Sequence, residues 1–169
     1  MDKVEVTIQF TPEDLQYAYK LHFHKMNPLR SKLVLILGGI LILLGIILVV
    51  LQSMAGIISW ASWFFIIYGL LLVTYYYWRF NRMGKAAYKK LVDFHNPFAF
   101  TFTSDGVLSV GKTVKSDNTW EHYQIALIRS DIILLYPNKL RFVLLPKSYF
   151  SDGEFEQITA WVREKVKCK

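Results

Sequence analysis

The residues of this sequence that could do chemistry are four histidines, one cysteine and scattered carboxylates. His22 and His24 are two positions apart on a predicted helix, so they do not share a face, and the HExxH spacing of a zinc site is absent. Glu121 and His122 are neighbours on a predicted strand and point to opposite faces, which is a poor geometry for an acid–base pair. Cys168 has no second thiol with which it could form a disulfide or a CxxC site.

Motifs with a known mechanism are also missing, because the sequence has no phosphate-binding P-loop, no GxSxG nucleophile elbow and no dinucleotide fingerprint. We therefore predict a protein that is not an enzyme and that has no cofactor and no metal site. An enzyme or accessory subunit of lipid-linked chemistry stays open as an alternative, and its candidate residues are Glu121, His122 and Asp131.

An uncharged run between Lys32 and Arg79 dominates the chain, which is 53% hydrophobic. The run contains two apolar stretches, residues 33–51 and 57–78, each about 30 Å long as a helix, which is the thickness of a bilayer core. The linker between them is short, so the two spans must be antiparallel. The sequence therefore predicts a two-helix transmembrane hairpin at residues 31–80. A channel or pump built from these two helices alone is not expected, because the spans contain no Asp, Glu, Lys, Arg or His. A transporter or channel subunit would require the helices to oligomerise.

Basic residues flank this hairpin on both sides and are absent from its linker. Positive residues stay on the cytoplasmic side, so we predict a multi-pass protein of the inner (plasma) membrane with both termini in the cytoplasm. After the second span we expect the same helix to continue as a basic juxtamembrane helix, residues 81–97. The basic residues that follow the span are expected to contact anionic headgroups. These contacts are Arg79, Arg82, Lys85, Lys89 and Lys90. The basic residues before the first span are Lys20, Lys25, Arg30 and Lys32.

The remaining sequence has the pattern of a sheet-rich domain in two parts. Residues 1–30 contain a predicted strand, residues 4–10, and a helix that Thr11 and Asp14 cap at its start. Residues 98–169 contain about five short antiparallel strands, one of them at 120–128, and a final helix at 152–166 that Ser151 and Glu154 cap. We expect the first strand to pair with residues 98–103.

The predicted fold class is therefore an α+β membrane protein, in which the transmembrane hairpin is inserted in a cytoplasmic antiparallel sheet domain. A C-terminal helix closes this domain, as in a pleckstrin-homology-like module. A strand places Trp120 and Tyr123, which are of opposite parity, on opposite faces.

This layout resembles the YcxB-like membrane proteins. The residues that carry the resemblance are short motifs: VEVTIQFTPED at residues 4–14, Ser104-Asp105-Gly106, Trp120 with Tyr123, the apolar strand at 132–136 and LPKSYF at 145–150. The resemblance implies a membrane-anchored bacterial domain with no assigned chemistry, and it carries over no catalytic residues.

A membrane-anchored binding or regulatory module fits these features, with anionic lipids and a protein as its partners and with homo-oligomers as a possibility. An immunity protein against a membrane-acting toxin is the alternative. The net charge of +7 follows from the membrane bias, so nucleic acid is not expected as a partner. A second set of basic residues could form an anion or partner surface or simply be solvated: Lys112, Lys115, Lys139, Arg141 and Lys147.

Overall fold

The computed structural model describes residues 3–26, 28–57 and 60–168 of the 169-residue chain. It is an α+β structure with four helices and two antiparallel sheets in the described residues. The chain divides into two compact units. The sheet unit is Met1–Ala18 with Gly84–Lys169, and the helical unit is Tyr19–Met83.

The helices agree with the sequence pattern in type and number. In α1, the Thr11 amide donates to Asp14 Oδ2 at 3.0 Å and the Asp14 amide donates back to Thr11 Oγ1 at 3.1 Å, which confirms the predicted capping box. The four helices are α1 (Pro12–Met26), α2 (Pro28–Met54), α3 (Ala61–Lys90) and α4 (Asp152–Lys165).

Two helices are long and apolar enough to cross a membrane, namely the Lys32–Met54 part of α2 and Ala61–Lys90 of α3. Only 11% of the most apolar window of each is buried. Inside the helical unit the backbones approach closely at Gly38, where a Cβ atom would lie 3.1 Å from the Gly69 carbonyl oxygen. Small residues at such a contact are typical of helix pairs in lipid.

The ends of the second apolar helix differ from the prediction. The helix begins at Ala61 rather than at residue 57, after a turn in which Gly56 has a φ of +67°. Residues 58 and 59 of the predicted span lie outside the described residues, as does the side chain of Arg30. At the other end α3 stops at Lys90, and a 3-10 turn (Val92–His95) replaces the predicted last helical turn.

Within the described residues, seven strands form the two sheets, more than the sequence analysis predicted. Sheet A has the order β1-β2-β3-β4, and sheet B has the order β5-β6-β7. Sheet A contains β1 (Lys3–Ile8), β2 (Phe98–Thr103), β3 (Gly106–Val110) and β4 (Lys115–Thr119). Sheet B contains β5 (Ile125–Ile128), β6 (Ile132–Asn138) and β7 (Arg141–Pro146).

The first strand pairs across the insertion, as predicted. In the antiparallel register of β1 and β2, Val4 lies opposite Phe102 and Ile8 lies opposite Phe98. Val4, Ile8 and Phe102 are all buried. Residues before the apolar helices therefore complete a core that is formed mainly by residues after them.

The predicted strand at 120–128 is wrong in its first half. Trp120–His122 form a 3-10 turn, and β5 starts only at Ile125. The cause is the indole of Trp120, which is buried and donates a hydrogen bond to the Thr103 carbonyl at 3.0 Å. Trp120 and Tyr123 are both buried and their ring centroids are 6.3 Å apart, so they do not point to opposite sides, because a 3-10 turn does not alternate its side chains as a strand does.

The C-terminal helix covers the core as predicted. Ser151 and Glu154 form the capping box of α4. The rings of Phe150 and Phe155 are 6.0 Å apart, the staple contact that fixes the entry of the chain into the helix. Beyond α4, the Ala126 amide of β5 donates to the Lys167 carbonyl at 2.9 Å, so the C-terminal segment extends the edge of sheet B.

Candidate binding cleft

A cleft of about 510 Å³ lies in the sheet unit, where the start of α1 meets the ends of β6 and β7. Its apolar lining consists of Ile132, Pro146 and Phe150, all of which are buried. Its polar lining consists of Asp14 and Tyr17 of α1, Asp131, Lys147, Ser148, and Asp152 of α4. Segments far apart in sequence therefore supply one concave surface with both apolar and charged groups.

Helix capping fixes Asp14 at one side of this cleft. Its Oδ2 atom accepts the Thr11 amide in the capping box, and the Tyr149 hydroxyl lies 3.5 Å away. The same hydroxyl donates to the Gln9 carbonyl. Burial, and then the Asp14 carboxylate, raise the pKa of Tyr149. These bonds join the third 3-10 turn (Lys147–Tyr149) to the beginning of α1.

Tyr17 and Asp131 face each other at a second side. Tyr17 is 42% exposed, and the hydrogen bond from its hydroxyl to the Asp131 carboxylate raises the pKa of this tyrosine. The backbone carbonyl of Asp131 accepts the Lys147 amide at 2.9 Å. The turn between β5 and β6 is thereby held against the end of β7.

The single lysine of the cleft is paired. Lys147 Nζ lies 2.7 Å from Asp152 Oδ1, and this contact raises the pKa of Lys147 and lowers that of Asp152. Both side chains are exposed, so the pair contributes little to stability. Three carboxylates against one ammonium leave the lining side chains net negative, which favours a cationic ligand. Arg129 is a further cation nearby, close enough to Tyr17 to oppose the rise in the pKa of this tyrosine.

The predicted headgroup contacts all lie on α3, but three of them already have partners. Arg79 donates to the Tyr75 hydroxyl at 3.0 Å, and the Arg82 guanidinium lies 5.0 Å from the centre of the Trp78 ring. Lys85 forms an ion pair of 2.9 Å with Glu13. The remaining two, Lys89 and Lys90, are exposed at the end of the helix.

The second set of basic residues is distributed over three places. Lys112 and Lys115 belong to the β3–β4 hairpin, and Lys139 and Arg141 belong to the β6–β7 hairpin. Lys147 lines the cleft. The anion surface predicted from these residues stays a prediction. It would consist either of the basic residues of a single hairpin or of residues from both sheets.

The candidate catalytic residues are separated along β5. Glu121 and His122 lie exposed in the 3-10 turn before this strand, whereas Asp131 follows it and lines the cleft. In the described part of the chain, no three His, Cys, Asp or Glu side chains are placed to hold a metal ion. Of the predicted helix pair, His22 is buried and His24 is exposed.

Sequence reasoning missed the cleft as a site. It identified Asp14 and Asp152 only as residues of helix starts and Ser148 only as part of the LPKSYF motif, and it did not single out Tyr17. A capping residue followed three positions later by a tyrosine is a common pattern. The sequence therefore did not indicate that α1 lines a cleft.

Comparison with known proteins yields no relative: no family model, no curated protein and no solved structure matches this chain. The resemblance to YcxB-like proteins therefore rests on the short motifs quoted above. The function has to be argued from the geometry of the cleft and from the apolar helices.

Proposed function

We propose that this chain is a membrane-anchored, non-catalytic binding module, and that its cleft binds a basic side chain of a protein partner. The observation that carries the proposal is the convergence of Asp14, Tyr17 and Asp131 above the apolar residues Ile132 and Phe150. The apolar helices α2 and α3 are the anchor in this proposal.

The chemistry of the cleft suits an arginine or lysine. Such a side chain has an apolar stem and a charged head, so the stem can lie on Ile132 and Phe150 while the head reaches the carboxylates. Lys147 pairs with Asp152, so within the described contacts neither Asp131 nor Asp14 has a lysine as its partner. A guanidinium can bond both oxygens of a carboxylate, which adds geometric selectivity.

The proposed setting is the cytoplasmic face of a bacterial inner membrane. The basic residues at both ends of the hairpin, with none in its linker, support this orientation. A four-stranded and a three-stranded antiparallel sheet followed by a C-terminal helix support a pleckstrin-homology-like module, a fold class in which binding surfaces are common and catalysis is not implied.

The first test uses the full chain in detergent and a fluorescent peptide containing two arginines, with a citrulline peptide of the same length as the uncharged control. We expect saturable binding of the arginine peptide alone, weakened by roughly tenfold in Asp131→Asn, as for loss of a charged partner in a hydrogen bond. The matched control is Asp117→Asn, because Asp117 is exposed on β4 outside the cleft. Equal affinities of both variants, or no saturable binding, would refute the proposal.

The second test looks for the partner in native membranes. A photoreactive amino acid at Ser148 should form a discrete protein adduct, whereas the same group at Leu140, which is 88% exposed on the β6–β7 hairpin, should not. The adduct must also disappear when Asp131→Asn is introduced. An adduct that persists without the Asp131 carboxylate would argue against recognition by the cleft.

A further inference from the structure

Exposed hydrophobic side chains of the sheet unit concentrate at one end of sheet A. The described residues of the sheet unit include five exposed large hydrophobic side chains. Two of them lie elsewhere: Tyr17 lines the cleft and Leu140 lies on the β6–β7 hairpin. The others are Leu91, Val110 and Val114, which are 42%, 39% and 47% exposed. Leu91 directly follows α3, and the two valines flank the tip of the β3–β4 hairpin.

Contacts inside the sheet unit hold these segments together. The Thr113 hydroxyl at the hairpin tip donates to the Asp93 carboxylate, which lies in the 3-10 turn after α3. Val110 is opposite Ala99 at the start of β2. A Cβ atom on Gly111 would overlap the ring of Phe98, so the hairpin is packed directly on the start of β2. The end of α3 and the hairpin tip therefore form one continuous surface, which we call the hairpin patch.

Four lysines belong to the same segments as the apolar residues of the hairpin patch: Lys89 and Lys90 precede Leu91, and Lys112 and Lys115 lie at the β3–β4 hairpin. All four belong to exposed positions, and none of them takes part in an ion pair within the described residues. Two carboxylates are nearby. Asp93 accepts the Thr113 hydroxyl, and Asp117 is exposed two residues beyond Lys115. The patch thus combines aliphatic side chains with a basic excess, the composition of surfaces that bind anionic bilayers.

The patch follows closely on the second apolar stretch along the chain. Lys89, Lys90 and Leu91 come about a dozen residues after residue 78, where the predicted span ends. A short stretch of chain therefore connects these residues to the anchor proposed above.

We propose that the hairpin patch docks on the surface of a bilayer that contains anionic phospholipids. The inference rests on the proposed membrane anchoring but not on the proposed ligand of the cleft. The lysines supply the attraction to phosphate-bearing headgroups, and Leu91, Val110 and Val114 enter the interfacial region. Docking would hold the sheet unit at the membrane in one orientation.

The experiment uses the full chain with Cys168→Ser, which removes the one natural thiol. An environment-sensitive dye is attached at Val114→Cys and, as the matched control, at Leu140→Cys on the other exposed hairpin. Each protein is reconstituted in vesicles of phosphatidylcholine alone and of phosphatidylcholine mixed with phosphatidylglycerol. A third label at Gly39→Cys, a position of α2 with open space around it, reports insertion of the anchor.

We expect the emission at Val114 to shift to the blue only in the vesicles with phosphatidylglycerol, with no shift at Leu140. The shift should vanish in about 1 M salt, where the Debye length is about 3 Å, and in the double variant Lys112→Gln with Lys115→Gln. If Gly39 reports insertion while Val114 gives the same emission in both lipids, the docking proposal is overturned and the anchoring stands. A Val114 shift that survives both high salt and loss of the lysines would also overturn it.

Discussion

The backbone amide of Gly84 in α3 donates a hydrogen bond of 2.9 Å to the side-chain oxygen of Gln16 in α1. The same oxygen lies 3.4 Å from the amide of Lys85. Gln16 is buried, and the two helices cross so closely that a Cβ atom on Gly84 would overlap the backbone of Gln16. The sequence of α3 therefore requires glycine at the point where it meets α1.

Gly84→Ala should destabilise the protein by about 3 kcal/mol, because the added methyl group must push two helix backbones apart. The matched control is Gly39→Ala, a helical glycine with no neighbouring atom within 4 Å. It should be neutral or stabilise by up to about 1 kcal/mol through helix propensity. Unfolding of the full chain in detergent, followed by circular dichroism, measures both. Equal stability of the two variants would show that α1 and α3 do not cross at Gly84.

Ile8→Ala in β1 should cost about 3 kcal/mol, the usual effect of deleting a large buried aliphatic side chain. Ile8 is fully buried in the register with Phe98, whereas its neighbour Thr7 is exposed. Thr7→Ala is therefore the control and should change the free energy of unfolding by less than about 0.5 kcal/mol. If the two substitutions had the same effect, β1 would not be part of the core.

Lys147→Gln should strengthen binding of the arginine peptide, the opposite of the effect of Asp131→Asn. Removal of Lys147 leaves Asp152 unpaired and makes the cleft more negative. We expect an increase in affinity of roughly two- to fivefold, the size typical of an exposed charge, and a smaller increase at high salt. Fluorescence anisotropy with the labelled peptide measures it. Weaker binding in Lys147→Gln would contradict the expectation that this lysine opposes a cationic ligand in the cleft.

Tyr136 should make the fold sensitive to alkali. Burial raises the pKa of Tyr136 from 10.0 to about 12. Between these two values the unfolded chain releases the phenolic proton while the folded chain retains it, so stability falls as the pH rises. The loss approaches about 3 kcal/mol, at 1.36 kcal/mol per pKa unit.

Tyr136→Phe tests this prediction, since it removes the titrating group and keeps the ring. Melting temperatures of both proteins in detergent, measured at intervals from pH 9 to about 12, should converge as the wild type loses stability faster. Parallel profiles would place the pKa of Tyr136 near its ordinary value.

Local signals in the sequence predicted much of this fold. The capping boxes at Thr11 and Ser151 set the helix starts correctly, because side-chain and backbone atoms three residues apart determine them. The alternation at residues 4–10 and 98–103 predicted a pairing that the register of β1 and β2 confirms. The long uncharged run between Lys32 and Arg79 predicted the two apolar helices.

Tertiary contacts explain what the sequence could not supply. Trp120 precedes the strand-like run of β5, yet its indole donates a hydrogen bond to the Thr103 carbonyl and the chain forms a 3-10 turn there. The cleft depends on Asp14 and Asp131 coming together, and no local pattern encodes a contact between residues so distant. The contact between Gln16 and Gly84 is also one between residues distant in sequence, so no local pattern predicted it. In the sequence, Gly84 does not differ from other small residues on the face of a helix.

The pairing of β1 with β2 also imposes an order on biosynthesis. Residues 9–97, which include both apolar helices, are made after β1 and before β2. At roughly 5–20 residues per second, β1 waits several seconds for the strand that it pairs with. Sheet A can close only after both apolar helices have left the ribosome. A folded sheet unit thus marks a chain in which residues 9–97, and with them both apolar helices, have already been made.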